Sequence, residues 1–388
     1  MDQIHQNCTN PLIWENSCTA LWNRFSMLTQ EFQSLGVPVL FDRPVLGALP
    51  CQYENMQELL DSSLEKLWLN IRHEIDFKGA DEPNSAQEIR EWMNLPANAE
   101  QLRHIIQLDL SGQELIVIPP EICHLENLKS LDLEGNKLTN IPDAFWNLKK
   151  LARFNLDNNQ LTSIPYKISH LGKLTTLSIN YNQLTSFPEG ICKLSKLGCL
   201  SLSHNKLTSI PDIFGHLAML SWVSFNHNKL ITIPETIGHC HKLKELYLED
   251  NQLTNIPEAI GNCTLLQGLS VDNNRLSSLP QAIGKCSKLC NLSVNNNKLT
   301  SVPDTIGDCV ELEVIFLNDN KLSTLPQTIG NLNKLATLCI EDNFLESLPD
   351  SIGNLEELTE INVEGNPLKG LPTTICFDNV EVNGFNTN

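Results

Sequence analysis

Residues 125–147 read LENLKSLDLEGNKLTNIPDAFWN, and residues 240–262 read CHKLKELYLEDNQLTNIPEAIGN. Both follow the frame LxxLxLxxNxLxxIPxxIGx, with Phe145 and Trp146 in place of its Ile-Gly pair in the first, and the frame recurs every 23 residues in twelve copies from Leu102 to Phe377. A proline of the frame repeats with the same period from Pro119 to Pro372. The asparagine of the frame occurs in register at Asn136, Asn159, Asn182, Asn205, Asn228, Asn251, Asn274, Asn297, Asn320, Asn343 and Asn366. A fixed period of this length indicates a solenoid of stacked coils.

The L-x-x-L-x-L-x-x-N-x-L core of each copy is the pattern of the leucine-rich repeat. We therefore predict an α/β fold: a right-handed leucine-rich-repeat solenoid, horseshoe-shaped, with a parallel sheet on its concave face and a small helical cap before it. Alternation along each short strand sends the leucines inward and the intervening residues outward. Stacked asparagines are expected to satisfy backbone groups where each strand ends. The first copy has Gln113 in place of asparagine, which suits an end coil.

The repeat divides the chain into four parts. We predict a helical N-terminal region of unknown role at 1–84, a helical cap at 85–101, the repeats at 102–377 and a C-terminal tail at 378–388. The tail is too short and polar to form another domain.

Apolar periodicity predicts helices over 17–35 and 53–75, and Ser85 with Glu88 has the spacing of a capping box for a third helix. An open solenoid exposes apolar core at its ends, so the third helix is expected to cover the first coil. The sequence leaves open whether residues 1–80 extend this cap or form a small helical module that binds something.

The composition argues against several classes of partner. The formal net charge of −19 disfavours a general affinity for nucleic acid or for anionic membranes. No apolar run approaches the roughly 20 residues that cross a bilayer. The first residues, MDQIHQNCTNPLIWENS, lack the basic and apolar regions of a secretory signal, so none is expected.

The cysteines follow the repeat. Cys240, Cys263, Cys286 and Cys309 stand 23 residues apart, at the position that leucine holds in other copies. They are expected to act as small buried apolar residues. Stacking brings such thiols within roughly 5 Å of one another, so oxidation is the alternative. A reduced ladder is the favoured interpretation, and it predicts a cytoplasmic location.

Frames such as NKLTSIPDIFGHL and NQLTNIPEAIGNC resemble intracellular leucine-rich repeats of the Ras-associated and LAP type, and also those of secreted bacterial effectors. The segment NSAQEIREWMNLPANAEQLRHIIQLDLSGQELIVIPPEI is more similar to the bacterial proteins, especially those of chlamydia-like intracellular bacteria. That resemblance implies an effector that acts in a host cytosol. Effector ubiquitin ligases carry a large helical catalytic domain after the repeats, and this sequence has none, so we expect no ligase chemistry.

Acids far outnumber bases at the outward positions of the repeat, which are those equivalent to Ser130, Asp132, Glu134 and Gly135. The acids there are Asp109, Asp132, Glu134, Asp157, Glu245, Glu249, Asp250, Asp272, Asp319, Glu341, Asp342, Glu360 and Glu364, against the single base Arg153. An acidic concave wall attracts a basic partner through its electric field. The alternative is that these carboxylates are ordinary solvated side chains.

The middle of this face carries aromatic residues from consecutive copies. Exposed Trp and Tyr on a sheet are typical anchors of binding energy. The nine candidate partner-binding residues are Tyr181, His204, Trp222, His227, Tyr247, Glu249, Asp250, Asp272 and Phe316. The alternative is cross-strand packing that only shields the sheet.

Neither a metal site nor a catalytic site is predicted. His239, Cys240 and His241 are rich in metal ligands, but strand and loop alternation sends Cys240 inward and its neighbours outward. No common catalytic or phosphate-binding motif is present. The sequence therefore predicts a protein without a cofactor that binds a protein partner and is not an enzyme. The second hypothesis is an adaptor, in which the N-terminal helices recruit ubiquitin or signalling machinery. Partner identity, organism, pathway and oligomeric state are not encoded in these patterns.

Overall fold

The computed structural model describes residues 49–77, 81–375 and 380–385, so the helix predicted over 17–35 lies outside the described residues. The chain divides into two compact units. The first holds the described residues up to Leu151 together with Asn159–His170, and the second holds Ala152–Asn158 and the described residues from Leu171 onward.

Within the described residues, three α-helices come before the strands of the repeats: α1 (Leu49–Ile71), α2 (Ala86–Asn94) and α3 (Ala99–Leu102). Short 3₁₀ helices follow α1 and α2, at Arg72–Glu74 and Pro96–Asn98. Helix α1 begins at Leu49, four residues before the predicted start at residue 53. Pro50 is compatible with this start, because it falls in the first turn, where its missing N–H is not needed. Helix α2 begins at the predicted cap, where Ser85 Oγ accepts a hydrogen bond from the Glu88 N–H at 3.3 Å.

Both α1 and α2 contact the first repeat. Lys66 Nζ of α1 donates to the carbonyl oxygen of Gln113 at 2.6 Å. Gln113 is the residue that replaces the asparagine of the other copies. Arg90 of α2 donates to Asp61 Oδ1 at 2.9 Å and to Glu121 Oε1 at 2.6 Å. Glu121 is buried in the first coil, so this guanidinium neutralises a carboxylate that would otherwise lie unpaired in the interior.

The cap also has an apolar interior. Met93 of α2 is buried. The Trp92 ring lies 5.2 Å from the Trp68 ring and 5.9 Å from the Phe77 ring, measured between centroids. Residues before 85 therefore share a core with the predicted cap.

Each repeat contributes one three-residue strand. In the first unit, β1 (Gln107–Asp109) pairs in parallel with β2 (Ser130–Asp132). In the second unit, successive strands pair in parallel in chain order. They are β3 (Arg153–Asn155), β4 (Thr176–Ser178), β5 (Cys199–Ser201), β6 (Trp222–Ser224), β7 (Glu245–Tyr247), β8 (Gly268–Ser270), β9 (Asn291–Ser293), β10 (Val314–Phe316), β11 (Thr337–Cys339), β12 (Glu360–Asn362) and β13 (Glu381–Asn383).

The predicted tail supplies the thirteenth strand. In β13, Glu381 is in register with Glu360, a step of 21 residues, whereas every other step is 23. The Val363 N–H donates to the Asn383 carbonyl at 3.0 Å, so this segment continues the sheet.

The asparagine ladder is confirmed. Asn297 Oδ1 accepts from the Leu276 N–H at 2.9 Å, and Asn297 Nδ2 donates to the carbonyls of Val271 at 3.0 Å and Val294 at 3.3 Å. One side chain thus satisfies backbone groups of its own coil and of the preceding coil. Similar bonds recur from Asn136 to Asn366.

The side of each coil opposite the strand is a 3₁₀ helix that follows the repeated proline. These helices are Pro120–His124, Asp143–Asn147, Tyr166–His170, Glu189–Lys193, Asp212–His216, Glu235–His239, Glu258–Asn262, Gln281–Lys285, Asp304–Asp308, Gln327–Asn331 and Asp350–Asn354. Coils approach closely here. A Cβ on Gly238 would lie 2.6 Å from the Ala259 carbonyl oxygen, which explains the glycine of the frame.

The four cysteines of the ladder occupy leucine positions in the core, as predicted. Cys240, Cys263, Cys286 and Cys309 have no solvent exposure. Cys263 Sγ donates to the Ile237 carbonyl at 3.4 Å. Burial raises the pKa of Cys240 and of Cys263 to about 12, so both thiols stay protonated at neutral pH.

Candidate functional site

The candidate site lies on the strand surface, which we define as the outward side chains of β3–β13 and of the two residues after each strand. On β6 and β7, Val223 and Leu246 are buried, whereas Trp222 and Tyr247 are half-buried and point outward. The Trp222 and Tyr247 rings lie 5.7 Å apart between centroids and are tilted by 50°. We call these two residues the aromatic pair.

A carboxylate is attached to the aromatic pair. Tyr247 Oη donates to Glu245 Oε2 at 3.1 Å. Burial, followed by the Glu245 charge, raises the pKa of Tyr247, so the phenol remains a hydrogen-bond donor at neutral pH. The bond fixes the orientation of the Glu245 side chain against the tyrosine.

A second group occupies the residue that precedes each framework asparagine. Tyr181, His204 and His227 have φ of +52°, +54° and +52°, a left-handed turn conformation that is costly for a bulky ring. Their rings stack: Tyr181 lies 3.9 Å from His204, and His204 lies 4.0 Å from His227, between centroids. Asp250 ends the stack, with its Oδ2 3.4 Å from His227 Nδ1. We call these four residues the ring column.

The ring column disfavours protonation of His204. Desolvation by burial and then the neighbouring His227 lower the pKa of His204, while Asp250 opposes them. The lowered pKa favours a neutral His204 ring within the column.

The other three predicted residues have distinct environments. Glu249 Oε2 accepts from Asn226 Nδ2 at 3.1 Å and remains half-exposed. Asp272 accepts from Ser293 Oγ at 2.8 and 2.7 Å and from the Asn295 N–H at 2.6 Å. Burial raises the pKa of Asp272, against the opposing hydrogen bonds. Asp272 is therefore largely an internal acceptor. Phe316 is half-buried on β10, three strands beyond Tyr247.

Asp272 belongs to a second ladder that the sequence interpretation missed. A side-chain oxygen two residues before the framework asparagine accepts from the equivalent backbone N–H of the next coil. Examples are Asp157 Oδ1 with the Asn180 N–H at 2.6 Å, Asn180 Oδ1 with the Ser203 N–H at 2.7 Å, and Asn295 Oδ1 with the Asn318 N–H at 2.8 Å. The recurrence of Asn and Asp there was the available signal. The thirteen outward acids are consequently not equivalent, because some serve the fold.

The structure thus brings the candidate residues together in two groups rather than in one cluster. Tyr181, His204, His227 and Asp250 form the ring column, and Trp222 with Tyr247 forms the aromatic pair. All nine candidates are exposed or half-buried. Glu245, which the candidate set omitted, is in direct contact with the aromatic pair.

Metal ligation has no support in the described ranges, where no group of three or more His, Cys, Asp or Glu residues is arranged to hold an ion. Cys240 is buried and its neighbours His239 and His241 are exposed, so the three side chains diverge as predicted.

Among the residues that the structure describes, no helix combines the length and the apolar character needed to span a bilayer.

The family follows from the sequence match. The leucine rich repeat model matches residues 103–161, 172–230, 200–253 and 264–322, which together make up just over half of the chain. The chain belongs to the leucine-rich-repeat family. The fold of this family typically serves as a binding scaffold without catalysis. The comparison with curated proteins gave no match.

Solved structures of similar proteins come from plants and bacteria. The plant peptide hormone receptor RGFR1, in complex with RGF2, has 29% sequence identity and a TM-score of 0.58 over 70% of this chain and 49% of that chain. The functional domain of InlJ from Listeria monocytogenes, which includes a cysteine ladder, has 22% identity and a TM-score of 0.58 over 70% and 60% of the two chains. A leucine-rich-repeat protein of Leptospira interrogans has 26% identity and a TM-score of 0.48 over 75% and 98%.

Proposed function

We propose that this protein is a non-enzymatic recognition protein that binds a protein partner through its strand surface. The observation that carries the proposal is the aromatic pair. Trp222 and Tyr247 project from adjacent strands and contact each other while remaining partly accessible. Aromatic side chains in this setting supply large contact area at low entropic cost and commonly dominate binding energy.

Charge specifies the kind of partner. Glu249 and Asp250 follow β7 and remain partly exposed; the charge of Glu249 acts on Tyr247 of the aromatic pair, and Asp250 ends the ring column. In the second unit, Arg153 is the one base among the outward positions of the repeat, where acids predominate. The proposed partner therefore has a basic surface, and its association rate falls as salt screens the attraction.

One similar protein supports a peptide or protein ligand. RGFR1, a plant peptide hormone receptor, is in complex with RGF2. A cytoplasmic setting is part of the proposal, supported by the buried protonated thiols of the cysteine ladder. The role of a bacterial effector rests on the sequence resemblance alone.

The test is affinity capture with the full chain. We expect wild-type protein to retain a partner from native lysate, and Trp222→Ala/Tyr247→Ala to lose it. The matched control is Tyr166→Ala, because Tyr166 is 57% exposed on a 3₁₀ helix of the first unit. A partner that the double variant retains as well as the control does would refute the proposed site.

A second candidate function is the adaptor. The observation in its favour is a cavity of about 450 Å³ in the helical region, lined by Glu65, Trp68, Leu69, Arg72, Glu82, Pro83, Asn84 and Ile89. Leu69, one of these lining residues, is 57% exposed. An exposed apolar side chain at a concave surface is a candidate contact for a second factor.

A further inference from the structure

Strand β8 has a gap in its outward row. Gly268 lies in register between Glu245 of β7 and Asn291 of β9, and Glu245 lies in register with Trp222 of β6. Trp222 and Asn291 carry side chains at this position, whereas Gly268 carries none. A Cβ on Gly268 would overlap Glu245 Oε2, so the carboxylate of Glu245 leans over the glycine backbone.

The Glu245 carboxylate has few partners within the described residues. Its one hydrogen-bond donor in the described part of the chain is Tyr247 Oη, at 3.1 Å from Oε2. No ion pair within 4.0 Å involves Glu245 among these residues. By contrast, Glu311 pairs with Lys334 at 2.7 Å. Glu245 is thus held in place by the tyrosine, with its charge uncompensated.

The neighbouring rings complete an arrangement suited to a cation. The Trp222 and Tyr247 rings, 5.7 Å apart, border the strand position from which Glu245 projects. A cation beside an aromatic face gains from the ring quadrupole, and the gain grows when water is excluded. A carboxylate next to such a face also forms an ion pair with the cation.

We infer that Trp222, Glu245, Tyr247 and Gly268 form a site for one cationic side chain, an arginine or lysine, that protrudes from the partner. The inference rests on the proposed function and deepens it. The cation pairs with Glu245 and lies against the aromatic pair, and Gly268 supplies the space that lets Glu245 adopt its position. Arginine is the preferred occupant, since its planar guanidinium stacks on rings and bonds carboxylates in pairs.

The first test needs no partner protein. N-acetyl-arginine amide and N-acetyl-lysine amide are titrated into ¹⁵N-labelled full-length chain, with N-acetyl-glutamine amide as the neutral probe. The readout is the indole N–H signal of Trp222, assigned with Trp222→Phe. We expect a saturable shift with both cations and none with the neutral amide. A neutral probe that shifts the signal equally would overturn the inference.

Two variants examine the proposed roles, and each is expected to weaken the arginine probe about tenfold or more. Glu245→Gln keeps the shape and removes the charge. Gly268→Asn introduces the residue type that Asn291 has at the equivalent position of β9, and the new Cβ displaces the Glu245 carboxylate. Thr337→Asn, at the equivalent position of β11, is the matched control and is expected to leave the titration unchanged. Unchanged probe affinity in both site variants would overturn the inference.

The same variants separate the inference from the proposed function. Partner capture that is lost in Trp222→Ala/Tyr247→Ala but normal in Glu245→Gln would refute the cation site and leave the recognition surface intact. A cation titration that depends on Glu245, together with partner capture that is indifferent to the aromatic pair, would support the cation site and refute the proposed function.

Discussion

Replacing Asn297 with alanine tests whether the asparagine ladder holds the coils together. The Asn297 side chain is 8% exposed and bonds the Leu276 N–H, the Val271 carbonyl and the Val294 carbonyl. Alanine leaves the Leu276 N–H buried without its partner, whereas the Val271 and Val294 carbonyls keep the bonds from Asn274 Nδ2 and Asn320 Nδ2. A buried backbone group without a partner costs about 1–3 kcal/mol, so we expect the free energy of unfolding to fall by about 1–3 kcal/mol.

The assay is urea unfolding followed by circular dichroism, with hydrogen exchange of the Leu276 amide as a local readout. Lys298→Ala is the matched control, because Lys298 is the next residue and is exposed; its effect is expected to stay within about 0.5 kcal/mol. Faster exchange at Leu276 should accompany the loss in the Asn297 variant. If Asn297→Ala and Lys298→Ala had equal unfolding free energies, the ladder would not be the stabilising feature described above.

Two further predictions concern the ring column and the N-terminal cavity. Because the folded state holds the pKa of His204 below its ordinary value, the unfolded chain binds its proton first as pH falls. We therefore expect stability to decrease below about pH 6.5. His204→Asn places an asparagine at this turn, as Asn273 does in another coil. Between pH 7.5 and 5.5 the melting temperature of this variant should fall less than that of wild type. Curves of melting temperature against pH that run parallel for the two proteins would contradict this. For the adaptor, Leu69→Glu should release a second captured factor while the strand-surface partner remains bound, and a capture profile identical to that of wild type would eliminate the adaptor.

The repeat made most of the fold predictable. A 23-residue period with fixed leucines, asparagine and proline specifies the side of each coil on which every residue lies, so the strands, the asparagine ladder and the buried cysteines followed from spacing. Strand β13 was missed because its step is 21 residues and its Val-Glu-Val alternation lies in a polar segment. Helix boundaries shifted by a few residues, as at Pro50, since the start of α1 depends on local turn geometry.

The candidate site was less predictable, for a physical reason. Sequence spacing assigns a residue to an outward column but does not say where its side chain bonds. Asp272 and Glu245 both count as outward acids, yet Asp272 accepts hydrogen bonds from Ser293 and Asn295, whereas in the described part of the chain Glu245 accepts one from Tyr247 alone. The left-handed turn at His204 likewise appears only in the backbone conformation, and it makes the ring column distinct from the aromatic pair.

The most direct measurement is the dissociation constant of the purified partner for wild-type chain and for Trp222→Ala/Tyr247→Ala, with Tyr166→Ala measured in parallel. Truncating two central aromatic contacts costs about 2–4 kcal/mol, so binding should weaken by at least about 30-fold in the double variant and by less than about twofold in the control. Equal affinity of the double variant and wild type would contradict the assignment of the strand surface as the recognition site.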